Sequence, residues 1–311
     1  MTYFYLPTGT LRDVTLRDGL QLTGKVMPVE AKVDVVRTLL RIGVPELEIG
    51  SMARPDLVPP MANSLDLVRE LTADELSRCW LWVATPRHVE KAAEAGVRNF
   101  QYCFSASDSH NKANIGRTTE ASVAAMPDAI EIAKSVGGKI QLTLATAFTC
   151  PFEGETPLDR VVRISADERT VGADDIVVAD TLGQAVPAQV AKLIEAVRDA
   201  SPPRRIGFHG HDTWGLGTAN SLAAISAGAS FVDGSLGGLG GCPFAPGASG
   251  NTPSEDLLFA TRPEWLTPNA LEQIVLLTER VLAVVDEPNR SKTAQGARSK
   301  ANAFDWVIRT S

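Results

Sequence analysis

A chain of 311 residues, 44% hydrophobic and 22% charged, can bury a large core without cross-links, and an α/β barrel of roughly 250 residues fits it as one domain. The net charge of −7 comes without any run of lysine or arginine, which argues against a nucleic-acid surface and leaves an anionic small molecule open, since a few local bases suffice to bind one. No stretch approaches about 18 uninterrupted apolar residues. The opening Met1-Thr2-Tyr3-Phe4-Tyr5-Leu6 has neither a basic leader nor a long apolar run, so the expectation is a cytoplasmic protein with no membrane partner. Cys79, Cys103, Cys150 and Cys242 form no Cys-x-x-Cys pair, which argues against a zinc ribbon and a disulfide framework and predicts reduced thiols.

In chain order, β-rich runs predict strands over Thr10–Leu16, Leu47–Ser51, Leu81–Ala84, Asn99–Phe104, Ile140–Phe148, Ile176–Asp180, Ile206–His211 and Phe231–Leu236. Between them, apolar residues at three- and four-residue spacing predict helices over Pro28–Ile42, Pro86–Ala95, Thr119–Val136, Pro157–Val171, Pro187–Ala200 and Thr218–Ala227. Strict alternation of strand and helix implies a parallel sheet, and this number of units favours a closed (β/α)8 barrel over an open doubly wound sheet. The barrel is expected over 1–262. A C-terminal helical extension is expected over 263–311, with a helix at Asn269–Asp286 and a polar tail through Ser291-Lys292-Thr293-Ala294-Gln295 that packs on the barrel or covers its mouth. No Gly-x-Gly-x-x-Gly follows the first strand and no Gly-x-x-x-x-Gly-Lys-Ser/Thr occurs, so the usual dinucleotide and nucleoside-triphosphate signatures are missing.

In such barrels the working site lies at the carboxyl ends of the strands. Polar residues gather there: Arg17 and Asp18 after strand one, Glu48 on strand two, Asp180 closing strand six, His209 and His211 closing strand seven, and Cys242 after strand eight. Residues two apart on a strand face the same way, so His209 and His211 present paired imidazoles to one interior. Oxygen and imidazole donors without a second thiolate suit Mg2+ or Mn2+ better than structural zinc, with Asp18 offering a charged oxygen and Asn251 a neutral carbonyl. The glycines of Gly237-Gly238-Leu239-Gly240-Gly241-Cys242 imply a flexible, exposed loop and a reactive thiol. Each residue also has a plainer reading: Asp180 as a helix cap, Glu48 as the partner of a nearby base, Asn251 as a turn residue.

Leu16-Arg17-Asp18-Gly19-Leu20-Gln21, Phe208-His209-Gly210-His211-Asp212-Thr213 and the run Gly238 to Asn251 resemble the signatures of the 3-hydroxy-3-methylglutaryl-CoA lyases, members of a metal-dependent lyase superfamily of TIM barrels. Ser105-Ala106-Ser107 to Ile115, Cys150-Pro151-Phe152-Glu153-Gly154, Ala179-Asp180-Thr181-Leu182-Gly183 and Ser291-Lys292 extend the likeness over nearly the whole chain. The resemblance implies a lyase of the leucine-degradation and ketone-body type, splitting a 3-hydroxyacyl-CoA thioester into acetyl-CoA and a keto acid, acetoacetate for the parent substrate. It implies Asp18, His209, His211 and Asn251 as ligands of Mg2+ or Mn2+, and Arg17 and Cys242 as catalytic residues. Glu48 and Asp180 match acidic positions of the same site, and either His209 or Asp18 is the base. Gln21 and Ser51 are expected beside the substrate, and Asn111, Lys112 and Arg117 near the CoA phosphates. A homodimer is left open. The segment Leu22-Thr23-Gly24-Lys25, Asp233-Gly234-Ser235-Leu236, Gly210 and Trp214 depart from the family pattern. These departures put the acyl group in question and favour citramalyl-CoA or a longer-chain hydroxyglutaryl-CoA as alternatives. A catalytically silent barrel acting as a binding module is the alternative from another class.

Overall fold

The computed structural model describes residues 10–241, 250–301 and 303–308; Cys242 lies outside them. Eight parallel strands close on one another: β1 (Thr10–Asp13), β2 (Glu46–Ser51), β3 (Cys79–Val83), β4 (Asn99–Ser105), β5 (Lys139–Ala145), β6 (Asp175–Asp180), β7 (Arg205–Gly210) and β8 (Phe231–Gly234), with β8 paired back to β1. Closure pairs each of these eight strands on both sides, so the barrel itself has no open edge. This is the expected (β/α)8 barrel.

Five strands stop short of their expected ends: β3 at Val83 and β7 at Gly210 by one residue, β8 at Gly234 by two, and β1 and β5 by three, the last two for local reasons. β1 yields at Asp13 because the Val14 carbonyl accepts the Gly19 N–H at 3.1 Å, closing the π-helical turn Thr15–Gly19. Asp13 starts that turn by accepting the Thr15 N–H at 3.0 Å. β5 yields at Ala145 because Thr146 adopts a left-handed φ of 53° and gives its N–H to the Thr181 hydroxyl at 2.8 Å.

Helices divide where the chain cannot continue them. The segment expected over Thr119–Val136 splits into Thr119–Ala124 and Met126–Ser135, because Pro127 has no N–H to extend the first helix. The segment expected over Pro157–Val171 ends its α-helix at Ser165 and continues as a 3-10 turn, Glu168–Thr170. Helices also form at Ser64–Glu70, Ala73–Ser77, Asp108–Ile115, Ser254–Thr261 and Lys292–Ala297, where the apolar periodicity is too short to read. Beyond the left-handed Arg262, which ends Ser254–Thr261, the helix Pro268–Val285 lays Leu271, Ile274, Val275 and Leu282 against the barrel shell. The tail follows with Phe304 and Trp306 edge-on to Phe259, at ring-centroid distances of 6.4 and 5.8 Å. Among the described residues no helix is long and apolar enough to cross a membrane.

The amino-terminal end of the barrel is filled by charge rather than hydrocarbon. Arg12 on β1 is buried between the rings of Trp80 and Phe231, 4.4 and 4.1 Å from their centroids. It donates to Glu46 at 3.1 and 2.6 Å and to the Gln141 carboxamide oxygen. Arg205 closes the group on Asp175 at 2.8 and 2.6 Å and on Glu46 at 3.1 Å, and the Trp80 indole N–H takes Glu46 at 3.0 Å.

Candidate metal centre and active-site cavity

At the opposite end two pieces of backbone bring the reactive groups together. The π-turn after β1 holds Arg17 and Asp18 over the barrel, a common place for such turns to serve a site. β7 supplies His209. His211 lies just past the strand, in an isolated bridge with Asn251. Asp18 Oδ2 is 3.5 Å from His211 Nε2 and 3.8 Å from His209 Nε2, and the imidazole centroids are 5.2 Å apart. One donor atom from each of Asp18, His209 and His211 falls within 4.8 Å of the others, and all three residues are buried.

Asn251 joins them by donating its amide to Asp18 Oδ2 and to the Leu239 carbonyl, both at 2.9 Å. Its own carbonyl oxygen, Oδ1, is buried with no partner. A buried acceptor left empty beside a carboxylate and two imidazoles is what a hard divalent cation with mixed oxygen and nitrogen ligands would satisfy. The residues present therefore fit such an ion.

Electrostatics set each group apart. Burial alone would raise Asp18, but the Arg17 guanidinium and the two imidazoles outweigh it and hold the carboxyl well below the usual carboxylate range. Burial alone would lower His209; the bond from its Nδ1 to Asp233, at 3.0 Å, and the charge of Asp18 win and raise it. That bond leaves Nε2 to face Asp18. Arg17 is clamped between Asp18 and Glu48, with Nε 2.7 Å from Glu48 Oε1. Burial pushes Glu48 up to about 7 against the pull of Arg17.

These groups open into a cavity of about 620 Å³, lined also by Gln21, Ser51, Trp82, Cys103, Thr143 and Lys112. Gln21, Ser51 and Lys112 are among the lining residues, Lys112 with an ion pair to Asp108 at 2.6 Å. Glu48 sits behind Arg17, outside the lining.

Three expectations are corrected. Asp180 spends its carboxylate on the backbone N–H groups of Gln184 and Ala185, at 3.1 and 3.0 Å, and its carbonyl receives the His211 N–H at 3.4 Å. It orders the turn that seats His211 and does not face the cavity, the capping role that strand-end aspartates often have. Asn111 is fully buried; it accepts from Ser105 N at 2.9 Å and donates to the Arg117 carbonyl at 3.1 Å and to Ser122 Oγ at 2.9 Å, so no capacity remains for a phosphate. Arg117 is likewise outside the lining. The glycine run is not an exposed loop over its described part: Gly237, Gly238, Leu239 and Gly241 are buried. Gly240, at φ 120°, would bring a Cβ within 2.5 Å of Asn251 Nδ2, so glycine here permits close approach to the ligand group. Gly241, immediately before Cys242, lines the cavity.

Asp233, Thr143, Trp82 and Cys103 escaped the reading of the sequence. Asp233 had a signal, an acid inside the apolar run of β8, but its pairing with His209 depends on strand register. Cys103 is a thiol that burial pushes up to about 11, so it stays protonated.

Barrel and site together define a metal-competent (β/α)8 enzyme with its chemistry at the carboxyl ends of the strands. The HMGL-like family profile matches residues 10–281, and the chain belongs to that family of metal-dependent carbon–carbon lyases. It is 39% identical over 259 residues to the (R)-citramalyl-CoA lyase of Chloroflexus aurantiacus, covering 80% of this chain and 82% of that one. It is 31% identical over 291 residues to the hydroxymethylglutaryl-CoA lyase YngG of Bacillus subtilis, covering 93% and 97%. The solved structure of the Bacillus subtilis HMG-CoA lyase superposes with a TM-score of 0.86 at 31% identity, over 95% of this chain and 99% of that one. An HMG-CoA lyase from Acinetobacter baumannii, solved with coenzyme A and 3-methylmalate, gives 0.86 at 31% identity over 97% and 98%.

Proposed function

We propose that the protein cleaves 3-hydroxy-3-methylglutaryl-CoA to acetyl-CoA and acetoacetate by a retro-Claisen reaction. The observation that carries this reading is the convergence of Asp18, His209 and His211 on one point beside a clamped Arg17, in the lining of a cavity large enough for an acyl thioester arm. Asp18, His209, His211 and Asn251 would hold Mg2+ or Mn2+, which when bound supplies Lewis-acid polarisation of substrate oxygens.

The chain's own residues account for the remaining demands. Arg17, immobilised by Asp18 and Glu48, offers a fixed positive charge to the thioester enolate that forms as the carbon–carbon bond breaks. The tertiary hydroxyl proton passes into the Asp18–His209 cluster, where Asp233 orients the His209 ring through Nδ1. The enolate carbon then takes a proton; on the sequence resemblance the donor is Cys242, as a thiol. Lys112, at the outer part of the cavity, is placed to meet a CoA phosphate. We also assign the protein to the cytoplasm, as the mouse relative is named a cytoplasmic lyase.

A second reading, cleavage of (R)-citramalyl-CoA to acetyl-CoA and pyruvate, is favoured by the 39% identity to the lyase of that name. The same machinery serves both, because only the acyl substituent differs. Assaying both thioesters with Mg2+ separates them: acetoacetate from the first supports the parent reading, a strong preference for the second replaces it, and no cleavage of either by folded, metal-supplied protein removes both.

A further inference from the structure

The two oxygen donors of the metal cluster arrive on two turns from opposite ends of the chain. Asp18 rides on the π-turn Thr15–Gly19, and Asn251 lies against the turn that opens with Leu236–Gly238 and runs on through Gly240. Asn251 is fastened to that second turn, because its backbone N–H and its side-chain amide both donate to the Leu239 carbonyl, at 3.2 and 2.9 Å. The packing leaves no slack: a Cβ built on Gly250 would collide with the Gly238 carbonyl oxygen. Leu239 O and Asp18 Oδ2 can only accept, so the amide nitrogen must face them and Oδ1 is the atom left open. The turn thus sets both where Asn251 stands and which atom it offers.

The two turns also approach each other closely. A Cβ on Gly19 would lie 3.2 Å from Leu239 Cβ, and one on Gly240 would lie 3.2 Å from the Asp18 carbonyl oxygen. A side chain joins them: the Leu236 N–H donates to Thr15 Oγ1 at 2.7 Å, and both residues are fully buried. Losing that hydroxyl would leave a buried N–H without its partner. The next N–H of the turn, from Gly237, goes to Glu255 and so holds the turn to the helix Ser254–Thr261, not to Asp18. Behind Thr15, Asp13 accepts the Thr15 N–H at 3.0 Å and the Ser254 hydroxyl at 2.6 Å, and β-branching at threonine restricts the rotation of its hydroxyl.

We infer that Thr15 is a positioning residue for the divalent ion: its hydroxyl locks the turn that carries Asn251 to the turn that carries Asp18, and so sets the spacing of the two oxygen ligands. The inference rests on the reading of Asp18, His209, His211 and Asn251 as the ligand set. Groups that orient metal ligands from outside change affinity about 10- to 100-fold when removed, and Thr15, acting through one intervening turn, belongs at the lower end.

The test is titration calorimetry of the whole protein with Mn2+, at a temperature where wild type and variants are fully folded. Thr15→Val keeps the shape and removes the hydroxyl, and is expected to weaken Mn2+ binding about tenfold; Thr15→Ser, which keeps the hydroxyl, should stay within about twofold of wild type. A hydroxyl that merely stabilised the fold would lower the melting temperature of Thr15→Val and leave the affinity of the folded protein alone, and that result overturns the inference. Should Thr15→Val not fold, hydrogen exchange of the wild-type Leu236 amide decides instead. Saturating Mg2+ should slow it about tenfold more than it slows the Leu47 amide, which bonds to the Arg78 carbonyl at the other end of the barrel. Equal slowing of the two amides overturns the coupling. Wild-type protein that binds neither ion removes the ligand set and this inference with it; wild-type binding with an unaltered Thr15→Val removes this inference alone.

Discussion

The two ends of the barrel are built from the same materials and come to opposite electrostatic outcomes. At the amino-terminal end Arg12 and Arg205 face Glu46 and Asp175, two cations to two carboxylates, and the guanidinium of Arg12 is capped by aromatic rings on both faces. At the carboxyl end Arg17 faces Asp18 and Glu48 with Asp233 close behind, one cation to three carboxyl groups. Orphaned polar atoms follow the same division. Asn251 Oδ1, His211 Nδ1 and Asp233 Oδ1 are buried without partners at the carboxyl end, whereas none of the side chains of the Arg12 network is left so. A satisfied network stabilises a shape; an unsatisfied one with surplus negative charge has room for a cation and a substrate.

The sharpest way to break that contrast is to remove a ligand. His211→Ala is expected to abolish Mn2+ binding in titration calorimetry and to lower lyase turnover on the order of 10³-fold, with the melting temperature of the metal-free protein little changed. Wild-type affinity in that variant would sink the ligand set. The mirror experiment is Arg12→Leu, which leaves Glu46 and Asp175 short of a counter-charge and should cost about 3 kcal/mol or more in urea unfolding. Mn2+ affinity should survive it. If instead metal binding collapsed with stability intact, the division into a structural end and a functional end would be wrong.

The features legible in the sequence were those that repeat locally. The alternation that sets eight strands, and the two-residue spacing of His209 and His211, need no knowledge of what lies across the barrel. Asp18 was legible for the same reason, as a polar residue just past a strand end. Asp180 was misjudged because its carboxylate answers to backbone N–H groups of Gln184 and Ala185, which only the folded turn presents. Asn111 failed for the same cause: its partners Ser105, Arg117 and Ser122 appear only once the loop has closed. Asp233 was out of reach, since its pairing with His209 depends on strand register. Over Gly237–Gly241 the glycines allow close approach of backbone where exposure was expected, because glycine marks close approach as readily as mobility.

Asp233 offers an intermediate test. Replacing it by Asn keeps a partner for His209 Nδ1 and removes the charge, so Mn2+ affinity should fall about 10- to 100-fold while thermal stability barely moves. A loss of stability without a loss of affinity would make Asp233 part of the barrel's packing and leave His209 oriented by something else.

The smallest effect concerns Glu255, which lies under the glycine turn at the functional end and has hydrogen bonds but no cation. It accepts the Gly237 N–H at 3.1 and 3.0 Å and the Thr278 hydroxyl, and burial pushes its pKa up to about 7 from an ordinary 4.5. Its folded form therefore holds a proton that the unfolded chain has already released. A carboxyl group raised in this way contributes its full stability below about pH 4.5 and loses it as pH climbs through 7. Metal-free protein should thus become less stable between pH 5 and 7, with about 1–2 kcal/mol of the decline belonging to Glu255. Glu255→Gln cannot titrate, so its urea-unfolding free energy should fall less steeply over that interval, whatever fixed cost the amide adds. Parallel pH profiles for the two proteins would mean that Glu255 is already ionised in the fold. The glycine turn would then rest on a buried charge balanced by a group not yet identified, and the contrast between the two ends would narrow to the metal cluster alone.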